Sequence, residues 1–113
     1  MRSHRTVPES TLNEIVRRVV EVAAPQTIIL FGSAARGDMG PNSDLDLLVI
    51  TRGPVQRGHL TEAIYQRLHG FGEAVDVVVI TPEDVERYKD SPALVIKPAL
   101  REGKVIYTAR NAA

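Results

Sequence analysis

Apolar residues in the first stretch of the chain fall at Leu12, Ile15, Val16, Val19, Val20 and Ala23, the i, i+3, i+4, i+7, i+8 spacing of one helical stripe. Two Thr-x-x-Glu pairs compete for the start of this helix, Thr6 with Glu9 and Thr11 with Glu14, and Pro25 ends it. The pattern then shortens. Thr27 to Phe31 is a β-branched and aromatic run of strand length. Gly32 to Ser43 is rich in Gly, Ala, Asn and Ser, which predicts a loop holding one helical turn. Asp44 to Ile50 predicts a second strand, and Thr51 to Gly58 a second loop. Leu60, Ala63, Ile64, Leu68 and Phe71 form another helical stripe, closed by Gly70 and Gly72.

Ala74 to Ile80 is nearly all valine and predicts a third strand. Thr81-Pro82-Glu83-Asp84 is a helix start, with Thr81 as N-cap, Pro82 at the first position and acids in the first turn. Asp90-Ser91-Pro92 restarts a helix toward Glu102, which Pro98 should kink or split. Gly103 ends it, Lys104 to Tyr107 adds a short edge strand, and Thr108 to Ala113 reads as a frayed tail. The order αβ(loop)βαβαα, with a final β, predicts an α+β fold: a small mixed sheet packed with helices. No repeat, low-complexity segment or linker divides it, so residues 1–113 are expected to form a single domain.

Composition narrows the function. Hydrophobic residues make up 43% and charged residues 25%, as in an ordinary soluble protein. Lys plus Arg and Asp plus Glu are each 14, so a broad electrostatic grip on nucleic acid is not expected. There are no cysteines, which excludes a disulfide framework, a thiolate zinc site and a Cys nucleophile. His4, His59 and His69 lack metal-ligand spacing. No apolar stretch reaches the roughly 18 residues that would span a bilayer, and the basic N-terminus has no apolar region behind it. A cytoplasmic protein is the expectation.

The chemistry concentrates between two strand ends. Residues i and i+2 of a strand share a face, so Asp44 and Asp46 place two carboxylates side by side. Like charges that close repel, and the following Leu47-Leu48-Val49-Ile50 is a poor setting for them unless a cation intervenes. Mg²⁺ suits such oxygens and keeps positions open for water and phosphates. Turn chemistry after Pro41-Asn42 could account for Asp44, but not for Asp46 inside the strand. Asp76 is a lone acid in an apolar strand. If that strand pairs beside Asp44 to Ile50, Asp76 can complete a two-metal site or accept the proton of an attacking hydroxyl. Upstream, Gly32 lets a phosphate approach the backbone, and the Ser33 hydroxyl and the following N–H groups can donate to it. Arg36 is placed to add a cation near the same phosphates, though a solvated surface charge is its bland alternative. Tyr65, Tyr88 and Tyr107 read as packing residues rather than base-stacking platforms, and Leu94 to Leu100 as a candidate partner surface.

A Gly-Ser pair, ten residues, then Asp-x-Asp, followed by an acid in a later strand, resembles the nucleotidyltransferase superfamily that includes DNA polymerase beta. The short length is most similar to the minimal nucleotidyltransferases, which are commonly encoded beside a HEPN-domain toxin as its antitoxin. Gly32, Ser33, Asp44, Asp46 and Asp76 match the family pattern one by one, and Arg36-Gly37 matches a common extension. The resemblance implies a polymerase beta-like fold and transfer of AMP from ATP to a hydroxyl, a tyrosine of the HEPN partner. It implies that Asp44, Asp46 and Asp76 bind Mg²⁺, two ions in number, with Asp76 as ligand or base. It also implies that Gly32, Ser33 and Arg36 bind the nucleotide, and that a partner or an oligomer supplies the missing acceptor surface.

Overall fold

The computed structural model describes residues 6–40, 43–53, 56–91 and 96–109. The elements are α1 (Glu9–Ala23), β1 (Thr27–Phe31), α2 (Ser33–Arg36), β2 (Leu45–Ile50), α3 (Arg57–Leu68), β3 (Val75–Ile80), α4 (Pro82–Tyr88), α5 (Ile96–Glu102) and β4 (Lys104–Thr108). The strands form one four-stranded mixed sheet in the order β3-β2-β1-β4. β1 runs antiparallel to both β2 and β4, and β2 runs parallel to β3. This is the mixed sheet with packed helices that the pattern predicts.

Strand alternation assigns the two faces. On one, Ile28, Leu30, Leu45, Leu47, Val49, Val77 and Val79 are buried with Ile15 and Val19 of α1 and Ile64 and Leu68 of α3. On the other, Ile29, Leu48, Ile50 and Ile80 are buried with Ile96 and Ala99 of α5, and Val85 and Tyr88 of α4 pack against them. The second layer covers only part of its face. The positions in phase with Leu48 and Val78 toward the strand starts are Asp46, Asp44 and Asp76, so the acids occupy the end that α4 and α5 leave open.

Several element ends differ from expectation. α1 uses neither Thr-x-x-Glu pair: its N-cap is Pro8, without a side-chain cap bond. The Pro8 carbonyl instead accepts from the N–H groups of Thr11 and Leu12. Pro98 does not split its helix. Among the described residues α5 runs through it unbroken from Ile96 to Glu102. Ser91 is not helical, and 92–95 lie outside the described residues, so the Pro92 start and Leu94 are not placed. Thr81 does cap α4 as predicted, in a reciprocal capping box with Asp84. β4 is a full strand through Thr108, with the Ala109 N–H donating to the Gln26 carbonyl, so the tail is ordered further than expected. Residues 1–5, including His4, and 110–113 are likewise not described. Among the described residues no helix is long and apolar enough to cross a membrane.

Candidate active site

β1 ends where β2 begins, and the parallel partner β3 begins beside it. The register places Asp46 opposite Phe31 on one side and opposite Asp76 on the other. The two acids are thus neighbours across a strand pair, as the sequence pattern requires of a shared site. Asp44 lies one residue before β2 and is exposed. It therefore belongs to the entering loop, while Asp46 is half-buried inside the strand.

Directly after Phe31 the chain turns through Gly32, at φ 74° and ψ −153°, a conformation available essentially to glycine alone. A Cβ at Gly32 would also collide with the Asp46 carboxylate, so the turn and the acid meet with no room for a side chain. The single turn of α2 follows, with the N–H groups of Ala35 and Arg36 donating to the Gly32 carbonyl. Those of Ser33 and Ala34 precede any intrahelical acceptor, and they start the turn beside Asp46. Gly37, at φ 81°, ends it in the left-handed region, its N–H donating to the Ser33 carbonyl at 3.0 Å.

The long loop to β2 is pinned by Met39, which is fully buried in the first core cluster. Sequence reasoning missed this residue; the available signal was one apolar side chain in an otherwise polar loop. Ser43 adds a second pin, its hydroxyl accepting from the Gly40 N–H at 2.9 Å.

Charge is concentrated here. Burial pushes the Asp46 carboxyl above the usual carboxylate range, and the negative charges of Asp76 and Asp44 push it further, against the opposing charge of Arg36. Those interactions place Asp76, Asp44 and Arg36 within electrostatic reach of Asp46. Arg36 itself is paired with Asp38 at 3.3 Å and, more loosely, with Glu102 of α5 at 3.8 Å. Among the described residues no three Asp, Glu or His side chains are placed to enclose a metal ion by themselves. The donor chemistry nevertheless fits Mg²⁺, which takes hard oxygens and is ordinarily held by one or two carboxylates plus substrate phosphates rather than by a protein cage.

The other sequence candidates fall outside this cluster. His59 and His69 are exposed on or just after α3. Tyr88 and Tyr107 pack against the cores, as expected. Tyr65 does not: it is 40% exposed, and its hydroxyl accepts a hydrogen bond from the Val77 N–H at 2.8 Å. In the candidate partner surface, Ile96 and Ala99 face the core and only Leu100 among the described apolar residues is exposed.

The family model described as "Nucleotidyltransferase domain" matches residues 10–106. The chain belongs to that family. Nucleotidyl transfer is accordingly its activity class. No curated protein sequence matches the chain. Among solved structures, a candidate nucleotidyltransferase from Sulfolobus solfataricus superposes with a TM-score of 0.61 at 21% identity, over 88% of this chain and 79% of that one. A chain of a toxin–antitoxin structure with AMP-PNP superposes with a TM-score of 0.58 at 20% identity, over 92% and 76%. A chain from the tri-AMPylated Shewanella oneidensis HEPN toxin in complex with MNT antitoxin gives 0.57 at 17% identity, over 89% and 72%. At these identities the likeness is one of fold, and it agrees with the mixed sheet of this nucleotidyltransferase.

Proposed function

We propose that the protein is a minimal nucleotidyltransferase that moves AMP from ATP, with Mg²⁺, onto a tyrosine hydroxyl of a partner HEPN toxin and thereby acts as its antitoxin. The observation that carries the reading is the junction of Gly32 with Asp46, and of Asp46 with Asp76. A turn suited to phosphate and a pair of acids suited to a cation meet with no side chain between them. The toxin–antitoxin structures with AMP-PNP and with an AMPylated HEPN toxin, which share this fold, supply the acceptor and the nucleotide in this reading.

The residues divide the work as follows. The Ser33 hydroxyl and the N–H groups that open α2 donate to the β- and γ-phosphates, and Arg36 leaves Asp38 and Glu102 to pair with them. Asp44 and Asp46, with Asp76 as third ligand, would hold Mg²⁺, which when bound neutralises charge on the triphosphate. The acceptor hydroxyl oxygen attacks the α-phosphorus in line. The new P–O bond forms as the bond to the bridging oxygen of pyrophosphate breaks, pyrophosphate carries away that electron pair, and the hydroxyl proton passes to solvent. The net charge of zero argues against RNA as the bulk acceptor.

The test is transfer of label from ATP labelled at the α-phosphate, with Mg²⁺, into a lysate of the protein's host. One labelled protein band, absent with Asp46→Asn, is the expected result. Label in RNA or small molecules would overturn the acceptor. Equal labelling by Asp46→Asn would overturn the site. Neutralisation of the toxin by an inactive variant would move the protein to an antitoxin that acts by contact alone.

A further inference from the structure

The hydroxyl of Tyr65 reaches an open strand edge beside the candidate acids. Among the described residues β3 pairs only with β2, and its other edge has no strand partner there. The Leu45 N–H donates to the Ala74 carbonyl, and the Thr51 N–H donates to the Ile80 carbonyl. The even-numbered residues of β3 therefore bond to β2, and the N–H groups of Val75, Val77 and Val79 point to the outer edge. At Val77 that N–H meets the Tyr65 hydroxyl at 2.8 Å, a distance for a well-formed bond. Tyr65 projects from α3, which packs along β3, and its ring remains substantially exposed.

Val77 follows Asp76 directly, so the N–H that Tyr65 holds belongs to the peptide joining the two. We propose that Tyr65 is a positioning residue for Asp76: by holding the outer side of the Asp76–Val77 peptide, whose inner side is held by β2, it sets the direction of the Asp76 side chain toward Asp46. The inference rests on the reading of Asp76 as a metal ligand given above. It assigns to the exposed face of α3 a role in the site on the opposite side of β3. It also accounts for a tyrosine at an exposed helix position where the inward stripe of partly buried Leu60 and buried Ile64 and Leu68 does not need one. Only a hydroxyl on a long, stiff side chain bridges from α3 to the strand edge. The same bond blocks the middle of that edge against a further strand.

Removal of the hydroxyl alone, by Tyr65→Phe, keeps the ring and the helix. Two readouts separate positioning from general support. The first is hydrogen–deuterium exchange of the Val77 amide in the metal-free protein, expected to quicken about tenfold while the amides of Ile15 and Val19 are unchanged. The second is Mn²⁺ affinity in the presence of saturating AMP-PNP, followed by electron paramagnetic resonance. Partners that orient a metal ligand are worth about 10- to 100-fold in affinity, and a loss of about tenfold is expected here. The decisive comparison is a cycle with Asp76→Asn. If Tyr65 acts through Asp76, Tyr65→Phe has no further effect once Asp76 is replaced. Wild-type Mn²⁺ affinity in Tyr65→Phe, or a full tenfold loss persisting in the Asp76→Asn background, would overturn the inference. Wild-type affinity in Asp76→Asn alone would remove the metal role of Asp76 and the inference with it, and that failure is recognisable because it is read without touching Tyr65.

Discussion

At Gly32 the backbone lies at φ 74° and ψ −153°, and the space a Cβ would take is already held by the Asp46 carboxylate. Gly32→Ala therefore faces backbone strain of about 1–3 kcal/mol and a displaced acid together. We expect a folded but destabilised protein in chemical denaturation and a loss of transfer of about 100-fold or more, since a displacement on the order of 1 Å can cost that much. Asp46 presents the opposite balance. Its carboxyl is raised by burial and then by the charges of Asp76 and Asp44, so in the metal-free protein the folded state binds its proton more tightly than the unfolded chain does. Charging it costs stability. That cost is absent well below the ordinary value of 3.8 and builds as pH climbs through the raised folded value. Asp46→Asn should thus match wild type in acid and melt higher at neutral pH, by up to about 4 °C in scanning calorimetry without metal, while losing transfer. A lower melting temperature at neutral pH would mean the acid supports the fold rather than straining it. The pairing of Asp46 with Asp76 was legible from Asp44-Leu45-Asp46 opening one apolar strand and a lone acid in another, provided the two strands lay side by side. The collision space at Gly32 was legible only as a glycine before a serine.

Among the elements, those with a strong period were readable: α1 by its stripe, the strands by β-branched runs, and α4 by Thr81-Pro82. What sequence could not rank were equivalent local options that tertiary structure decides. Pro8 displaced two hydroxyl caps, and the described part of α5 runs through Pro98 unbroken. Arg57 at the start of α3 pairs with buried Asp84 at the start of α4, a contact between residues 27 apart that no local pattern announces. Burial alone would raise the Asp84 carboxyl, but the bonds from Thr81 and the charge of Arg57 outweigh it and hold it below the usual range. Met39 is the clearest case, since a methionine between Asp38 and Gly40 carries no period at all and yet is fully buried under the loop that delivers Asp44. Truncating it leaves a cavity, and Met39→Ala should cost about 2–4 kcal/mol in urea unfolding. A cost below about 0.5 kcal/mol would mean that the loop is not anchored there.

For the whole molecule, the site is a meeting of three strand ends rather than a pocket within one element. β1 leads into the Gly32 turn, β2 supplies Asp46, and β3 supplies Asp76. A ligand that engages all three ties the centre of the sheet to its edge, whereas one that engages only the acids does not. Among the described residues the carboxylates form no cage of three, so in the proposed reading neither Mg²⁺ nor a triphosphate would find a complete set of partners in the protein alone. In that reading the ion would lack ligands until phosphate oxygens supply them, and the triphosphate would meet the negative charges of Asp44, Asp46 and Asp76 until the ion offsets them. Binding should consequently be synergistic. Ligand at about 100 times its dissociation constant stabilises a folded protein by about 2.7 kcal/mol, which for a domain of this size is a rise in melting temperature of about 10 °C or more. Mg²⁺ with AMP-PNP should produce a shift of that order, while either alone produces about 2 °C or less. Asp46→Asn should abolish the synergy by removing the acid that abuts the Gly32 turn and is proposed to hold the ion. Equal shifts with Mg²⁺ alone and with the pair would mean that the protein holds the ion without the nucleotide, and that the acids converge more tightly than their geometry indicates.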